Sequence, residues 1–175
     1  MKRLISIGLI TALSFASVYA ADPAAAPAAP AAPAAGAPPP PTPEQQAKTS
    51  IETRQGLFKV IAFHNAPIGG MLRGRVPFDA EVVAKNAARI EQLAAMIPDL
   101  FAANDTRKTG AGVRTAALDG IWTSQADFKA KADDLGKAAG ALSAAAKTGD
   151  KDATMKAAAG LKACGSCHDT FRMKL

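Results

Sequence analysis

The sequence predicts an all-α protein, an antiparallel four-helix bundle whose helices run up, down, up and down. Its composition favours helices, because alanine, lysine and leucine are abundant and aromatic residues make up only 5%. Apolar residues recur at helical spacing in four segments with mostly short connections, the pattern of such a bundle. No segment shows the alternation of polar and apolar residues that is typical of a strand.

The N-terminus is predicted to be a signal peptide over residues 1–20. Lys2 and Arg3 precede an apolar run over residues 4–17. Val18-Tyr19-Ala20 then fits the small-x-small pattern of a cleavage site, and together these features have the layout of a cleaved secretory signal. An uncleaved membrane anchor is the alternative, although the run is shorter than the ~20 residues of a spanning helix. The prediction places the mature protein in the periplasm.

Residues 21–42 are almost entirely alanine and proline and are predicted to be a disordered linker. Such a stretch cannot form a core, and proline favours an extended, solvated spacer. A tether and a dispensable tail both remain open. Residues 43–175 then have the length of one domain, the predicted bundle.

The charge is mildly basic. Removing residues 1–20 takes away Lys2 and Arg3 and no acidic residue, which lowers the formal charge from +6 to +4. This charge permits attraction to an acidic redox partner protein. No basic run with interleaved aromatic residues is present, so we expect no nucleic-acid partner.

The first helix is predicted from Pro43 to Ala66. Thr42 and Gln45 form a capping-box pattern around a proline at the first helical position. Pro67 and the following glycines are expected to end the helix. Its inward face is predicted to carry Ile51, Arg54, Phe58 and Ile61.

The second helix is predicted to begin at Asp79, and Pro98 is expected to kink it or end it early. Residues 104–119 are polar and rich in glycine, which predicts a loop. The helix has one apolar stripe, formed by Val83, Ala87, Ile90, Ala94, Ile97 and Phe101.

The third helix is predicted from about Gly120 or Thr123 to Lys147, and the fourth from Asp150 to about Met173. A seven-residue repeat in the third helix is typical of a helix packed nearly antiparallel to its neighbour. Thr148 and Gly149 are expected to form the turn between the two helices. The repeat consists of Ile121, Phe128, Leu135 and Leu142.

The fourth helix carries a motif for covalent haem attachment. The chain has two cysteines and two histidines, and Cys164, Cys167 and His168 fall within five residues. Two thiols at this spacing form thioethers with one porphyrin, and the adjacent histidine then binds its iron. On a helix the three residues share one face with Phe171.

Three other interpretations of the motif fit less well. A thioredoxin-like dithiol belongs in a βαβ unit, and none is predicted. A structural zinc site needs four ligands, and only His64 remains to complete the set. A simple disulfide between the two cysteines is possible in an exported protein.

Several motifs together resemble the cytochromes c′ of class II over about residues 50–175. A haem motif close to the C-terminus is typical of that class. The order and spacing of four segments carry the resemblance; the long alanine–proline leader departs from it. The segments are Arg54-Gln55 with Phe58, residues 74–79, Ile121-Trp122 with Phe128-Lys129, and residues 164–172.

The resemblance implies one covalently attached haem c with His168 as its iron ligand. Members with methionine four residues after the first-helix arginine resemble low-spin, six-coordinate electron carriers; here that position is Phe58. Phenylalanine has no lone pair to give, which implies a five-coordinate, high-spin iron with an open, apolar face. Such a site would bind nitric oxide (NO) and carbon monoxide (CO). The alternative is a low-spin, six-coordinate class II cytochrome that acts purely as an electron carrier.

The other methionines and the second histidine are not expected to ligate the iron. Met71 lies near the end of the first helix and is predicted to fill a gap in the core. Met96 and Met155 are predicted to be ordinary helix residues. His64 is almost three turns beyond Arg54, where a surface or hydrogen-bonded histidine is expected.

Three polar residues are predicted to contact the cofactor. Arg54 lies on an apolar stripe, where a haem propionate would satisfy its charge, although it could instead extend to solvent. Gln55 is a further haem contact by resemblance. Arg172 either lies beside His168, as the resemblance implies, or complements the helix dipole. Trp122 is expected to belong mainly to the core.

The two functional hypotheses are a gas-binding protein and an electron-transfer cytochrome, and both can hold for one haem. Phe58 favours gas binding. No group of residues resembles a catalytic acid, base or nucleophile, so the sequence does not predict an enzyme. The resemblance also implies a homodimer formed through the first and second helices.

Overall fold

The computed structural model describes residues 38–102 and 112–174. The predicted signal peptide (1–20), most of the linker (21–42) and part of the predicted loop (104–119) therefore lie outside the described residues. The described helices are α1 (Pro43–Leu72), α2 (Ala80–Ala95), α3 (Ile97–Ala102), α4 (Gly120–Thr123), α5 (Gln125–Lys147), α6 (Lys151–Ala158) and α7 (Ala163–Phe171), with a 3₁₀ turn, Ala159–Lys162, between α6 and α7.

These helices form the predicted all-α four-helix bundle. The first bundle helix is α1, the second is α2 with α3, the third is α4 with α5, and the fourth is α6 with α7. The most extensive packing joins α2 to α5, and α1 also packs on α2. In the described part of the chain only one isolated β-bridge is present, between Ala117 and Arg172.

The first helix begins as predicted but continues past its predicted end. The Thr42 hydroxyl accepts from the Gln45 backbone, and the Gln45 side chain accepts from the Thr42 backbone, which completes the capping box. The predicted stop at Pro67 is wrong, because α1 runs on to Leu72. Proline removes one backbone donor, but Ile68 is buried in the bundle, and its packing favours continuing the helix.

The second helix is interrupted where Pro98 predicts it. The Asp79 carboxylate caps α2, and the chain breaks at Met96 before Pro98 enters the first turn of α3. Two other interruptions were not predicted. Ser124 separates α4 from α5, and the 3₁₀ turn separates α6 from α7.

The third and fourth helices are joined as predicted, although the fourth ends earlier. A tight turn after Lys147 has Gly149 at φ +76°, where glycine is favoured, and Asp150 caps α6. Helix α7 ends at Phe171, two residues before the predicted end at Met173.

The core contains the predicted apolar stripes of the second and third bundle helices in full. Every member of the repeat Ile121, Phe128, Leu135 and Leu142 is buried, and so is every member of the stripe from Val83 to Phe101. Ser143 is a buried polar exception whose hydroxyl donates to the Ala84 carbonyl at 3.0 Å. None of the helices described by the structure is both long and apolar enough to cross a membrane.

Candidate haem site

A mainly apolar cavity of about 550 Å³ lies between α1, α5 and α7. This volume falls within the ~300–1,000 Å³ range of small-molecule and cofactor sites. The cavity brings together all seven residues that the sequence proposes as cofactor contacts. They are Arg54, Gln55, Phe58, Cys164, Cys167, His168 and Arg172.

Helix α7 supplies the attachment wall of the cavity. Cys164, Cys167 and His168 all belong to α7, so their helical spacing places them on one face, as predicted. Phe171 lies on the same face and is buried in the core. The two cysteines do not form a disulfide with each other. Partial burial raises the pKa of each thiol; for Cys167 the charge of Lys131 opposes the rise.

The surroundings of His168 favour its neutral form. Partial burial against the cavity wall lowers its pKa, the positive charge of Arg172 lowers it further, and Asp169 opposes both effects. A lower pKa favours the neutral imidazole, which keeps a lone pair available for iron. The side chain remains accessible from the cavity.

Arg54 lies in the cavity wall and is only 5% exposed. Its Nε donates to the Leu100 carbonyl at 2.8 Å. Its guanidinium carbon lies 4.8 Å from the centre of the Phe101 ring and 5.6 Å from that of Trp122. These contacts hold the guanidinium within the bundle, so the alternative of an arginine extended into solvent is wrong.

Phe58 faces the cavity rather than the packed core. Its side chain is 37% exposed, whereas its neighbour Leu57 is buried. The Phe58 ring touches the core at its edge, with its centre 6.3 Å from that of Phe101. The sequence prediction placed Phe58 on the inward face of the helix. In the structure Leu57 is the buried residue, and Phe58 lies on the cavity wall.

The remaining candidate ligands lie away from this cavity. The His64 Nδ1 lies 2.9 Å from the Asn86 amide oxygen, the hydrogen-bonded arrangement that was expected. Met71 packs against the core beside Phe78 and Met155, at a separate small cavity. Met96 is half exposed between α2 and α3. Trp122 packs against the core and is not among the residues that line the cavity.

Sequence reasoning missed several polar residues of the cavity wall. Lys59 and Asn65 belong to α1, Lys131 belongs to α5, and Thr115 lies in the segment before α4. Asn65 follows Phe58 by seven residues, a helical spacing that could have revealed it. The cavity wall as a whole is therefore mainly, but not entirely, apolar.

The residues 49–172 match the family model described as cytochrome C′. The chain belongs to the cytochrome c′ family. It is 39% identical over 132 residues to the cytochrome c′ of Rubrivivax gelatinosus, an alignment that covers 74% of this chain and 98% of that protein.

Solved cytochrome c′ structures share the fold. The cytochrome c′ of Shewanella frigidimarina matches with a TM-score of 0.66 and 33% identity, covering 73% of this chain and 97% of that one. A ferrous variant from Alcaligenes xylosoxidans with bound NO matches with a TM-score of 0.62 and 27% identity, covering 77% and 98%. Like its family, this chain carries one covalently attached haem c.

The cavity of this cytochrome c′ fits that group on its own chemistry. Haem is a flat apolar ring with two carboxylates, and the walls are mainly apolar. Among the described residues that line the cavity, every charged side chain is cationic: Arg54, Lys59, Lys131 and Arg172. The two thiols lie one helical turn apart, as two thioether bonds to one ring require.

Proposed function

We propose that this cytochrome c′ binds NO and CO at a five-coordinate, high-spin haem and also exchanges electrons with a redox partner protein. The observation that carries the proposal is the position of Phe58 in the cavity that also contains His168. A phenylalanine cannot ligate iron, so one face of the metal would stay open for a small ligand. We do not expect turnover of a classical enzyme.

In this proposal each wall of the cavity has its own role. The haem supplies the iron that binds the gas and takes up or releases the electron. Cys164 and Cys167 would attach the ring, and the neutral imidazole of His168 would ligate the iron. Arg54 would pair with a haem propionate, and Arg172 would shape the surroundings of His168.

The positions of the other candidate ligands support a single protein ligand. Met71 and His64 have partners elsewhere in the bundle. Among the cavity-lining residues in the described part of the chain, no methionine is found and His168 is the only histidine. The NO-bound variant from Alcaligenes xylosoxidans supports gas binding by resemblance, as does a CO-bound variant of the same protein.

We further propose that the protein is exported to the periplasm and that residues 1–20 are its cleaved signal peptide. The basic start, the apolar run and the small residues before Ala21 support cleavage there. The covalent haem supports export as well, since it is normally attached outside the cytoplasm. N-terminal sequencing of the mature protein should begin at Ala21; retention of residues 1–20 would point to an anchor.

A homodimer is also proposed, through α1 and α2 as the resemblance implies. Phe63 on α1 is 73% exposed, and Val60, one turn earlier, is also exposed. Large apolar side chains in this position suit an interface between two copies. In sedimentation experiments the wild-type protein should be a dimer and the Phe63→Glu variant a monomer. A wild-type protein that sediments as a monomer would contradict the proposal.

Optical spectra test the haem state directly. We expect a high-spin spectrum of the ferrous protein that changes on addition of CO or NO. Phe58→Met should convert the iron to a low-spin form, because a thioether in the cavity can supply the missing ligand.

Phe63→Met is the matched control, since it places the same new side chain on the same helix but outside the cavity. Its spectra should equal those of the wild type. Low-spin ferrous bands that ignore both gases would overturn gas binding and favour the six-coordinate electron carrier. An unchanged spectrum of Phe58→Met would place Phe58 away from the iron.

A further inference from the structure

A short extended segment forms one wall of the haem cavity. We call residues 114–118, which lie just before α4, the strap. The side of the strap that faces the cavity consists of Thr115, Ala116 and Ala117. Unlike the helical walls, this segment has no helix of its own to hold it. Its position must therefore depend on bonds to other parts of the bundle.

The strap is fastened to the chain that follows the haem-attachment helix. The Leu118 N–H donates to the Phe171 carbonyl at 3.0 Å, and the Met173 N–H donates to the Ala116 carbonyl at 2.8 Å. Between these two bonds Ala117 pairs with Arg172 in an antiparallel bridge. Both distances are those of good hydrogen bonds.

A third bond fastens the strap to the first helix. The Gln55 side-chain amide donates to the Arg114 carbonyl at 2.7 Å. Gln55 also lines the cavity and directly follows Arg54 on α1. The strap therefore links α1 to the end of α7, the two helices that carry the predicted haem contacts.

We propose that the strap is a positioning element that shields the haem from water, and that Gln55 and the backbone N–H groups of Leu118 and Met173 hold it in place. The inference rests on the haem site of the proposed function, but not on which gas that site binds. Solvent access and local polarity set the reduction potential of a buried metal centre. Water stabilises the more highly charged ferric state, so a loosened strap should lower the potential.

Backbone substitutions at the C-terminus isolate this role. Met173→Pro removes the N–H that donates to Ala116, whereas Met173→Ala keeps it and changes only the side chain. Lys174→Pro is the matched control, because no backbone bond from Lys174 holds the strap. All three variants leave the attachment motif intact.

We expect Met173→Pro to lower the reduction potential and to speed hydrogen exchange at the Leu118 amide at least several-fold. Met173→Ala and Lys174→Pro should match the wild type in both measurements. The spin state and the response to CO should be the same in the wild type and in these three variants, so failure of the proposed function would be seen separately, in the wild-type spectra.

Gln55→Leu provides a second test should Met173→Pro fail to fold. Leucine has a similar size but cannot donate to the Arg114 carbonyl, so the potential should again fall and Leu118 should again exchange faster. The proposal is wrong if the foldable variants loosen the Leu118 amide without moving the potential. It is equally wrong if neither measurement changes.

Discussion

The packing between α2 and α5 and the walls of the haem cavity are both apolar, but they are built in opposite ways. Between α2 and α5, which pack on each other more extensively than any other pair of described helices, Ala87, Ala94, Ala139 and Leu142 have almost no exposed surface. In the cavity, Phe58 and His168 remain accessible and leave about 550 Å³ between the walls. We call the first region the α2–α5 interface.

This difference shows which part of the bundle depends on the cofactor. The α2–α5 interface gains dispersion and the hydrophobic effect from its own side chains. The cavity walls are positioned by the strap and by two side-chain hydrogen bonds. Arg54 donates to the Leu100 carbonyl, and Gln55 donates to the Arg114 carbonyl. Several wall residues are already buried, but the apolar surface that still faces the cavity, such as that of Phe58, is covered only when the haem is present. Loss of haem should therefore affect the two regions unequally.

The largest effect is expected when haem cannot be attached. Without haem, the mainly apolar walls of the cavity face water, and the contacts that they would make with the cofactor are lost. The haem-free double variant Cys164→Ser with Cys167→Ser should therefore lose much of its helical circular dichroism and its cooperative thermal transition.

Hydrogen exchange would show where that loss begins. Amides of α7 and of the strap should lose protection before those of the α2–α5 interface, which keeps its own packing. The matched control is Ser166→Ala, which changes the residue between the cysteines and leaves both thiols. A haem-free double variant that melts like the wild type would show that the cavity walls are stable without a cofactor.

A smaller loss is expected from a cavity made inside the α2–α5 interface. Leu142 is fully buried, so Leu142→Ala should lower the free energy of unfolding by about 3 kcal/mol, within the ~2–5 range for such changes. Met96→Ala truncates a half-exposed side chain and should stay within ~0.5 kcal/mol of the wild type. Denaturant unfolding of the haem-containing proteins measures both.

The haem spectrum separates this effect from the first one. Leu142 does not line the haem cavity, so the spectrum of Leu142→Ala should equal that of the wild type. A changed spin state would mean that the two regions are coupled. A loss below ~1 kcal/mol would mean that the interface closes over the missing side chain.

Helical spacing in the sequence predicts parts of both regions. The seven-residue repeat ending at Leu142 and the stripe from Val83 to Phe101 identify the buried faces of the second and third bundle helices, because burial of one helix face imposes a regular spacing. Six of these residues also line the haem cavity, namely Ile90, Ile97, Phe101, Ile121, Phe128 and Leu135. The motif from Cys164 to His168 locates one wall of the cavity for a similar reason. Local spacing was sufficient in both cases.

Features that depend on tertiary contacts were not predictable in this way. The continuation of α1 through Pro67 depends on burial of Ile68, which outweighs a local signal for a stop. The strap depends on backbone bonds between segments more than 50 residues apart, and backbone groups carry no sequence signal. Lys131 lines the cavity on α5, a helix whose orientation is set by its packing on the rest of the bundle.

The smallest effects concern two glycines of α5 and test how tightly the α2–α5 interface is packed. A Cβ at Gly136 would lie 3.8 Å from the Ala94 Cβ, an ordinary contact. Gly136→Ala should therefore stabilise the protein by ~0.5–1 kcal/mol, because alanine loses less conformational entropy in a helix than glycine. A Cβ at Gly140 would instead lie 2.6 Å from the Glu91 Oε1, so the Glu91 side chain must move.

Glu91 is exposed and flexible, which makes that movement inexpensive. Gly140→Ala should therefore raise the free energy of unfolding by less than Gly136→Ala does. This difference between the two variants should disappear when Glu91→Ala is combined with Gly140→Ala. Thermal unfolding of the singles and the double variant gives the coupling between positions 91 and 140, which we expect to be about 0.5 kcal/mol. Equal gains at both glycines would show that Glu91 does not restrict the interface. A loss at Gly140 that persists with Glu91→Ala would instead show that the backbones of α2 and α5 are already too close to admit a methyl group.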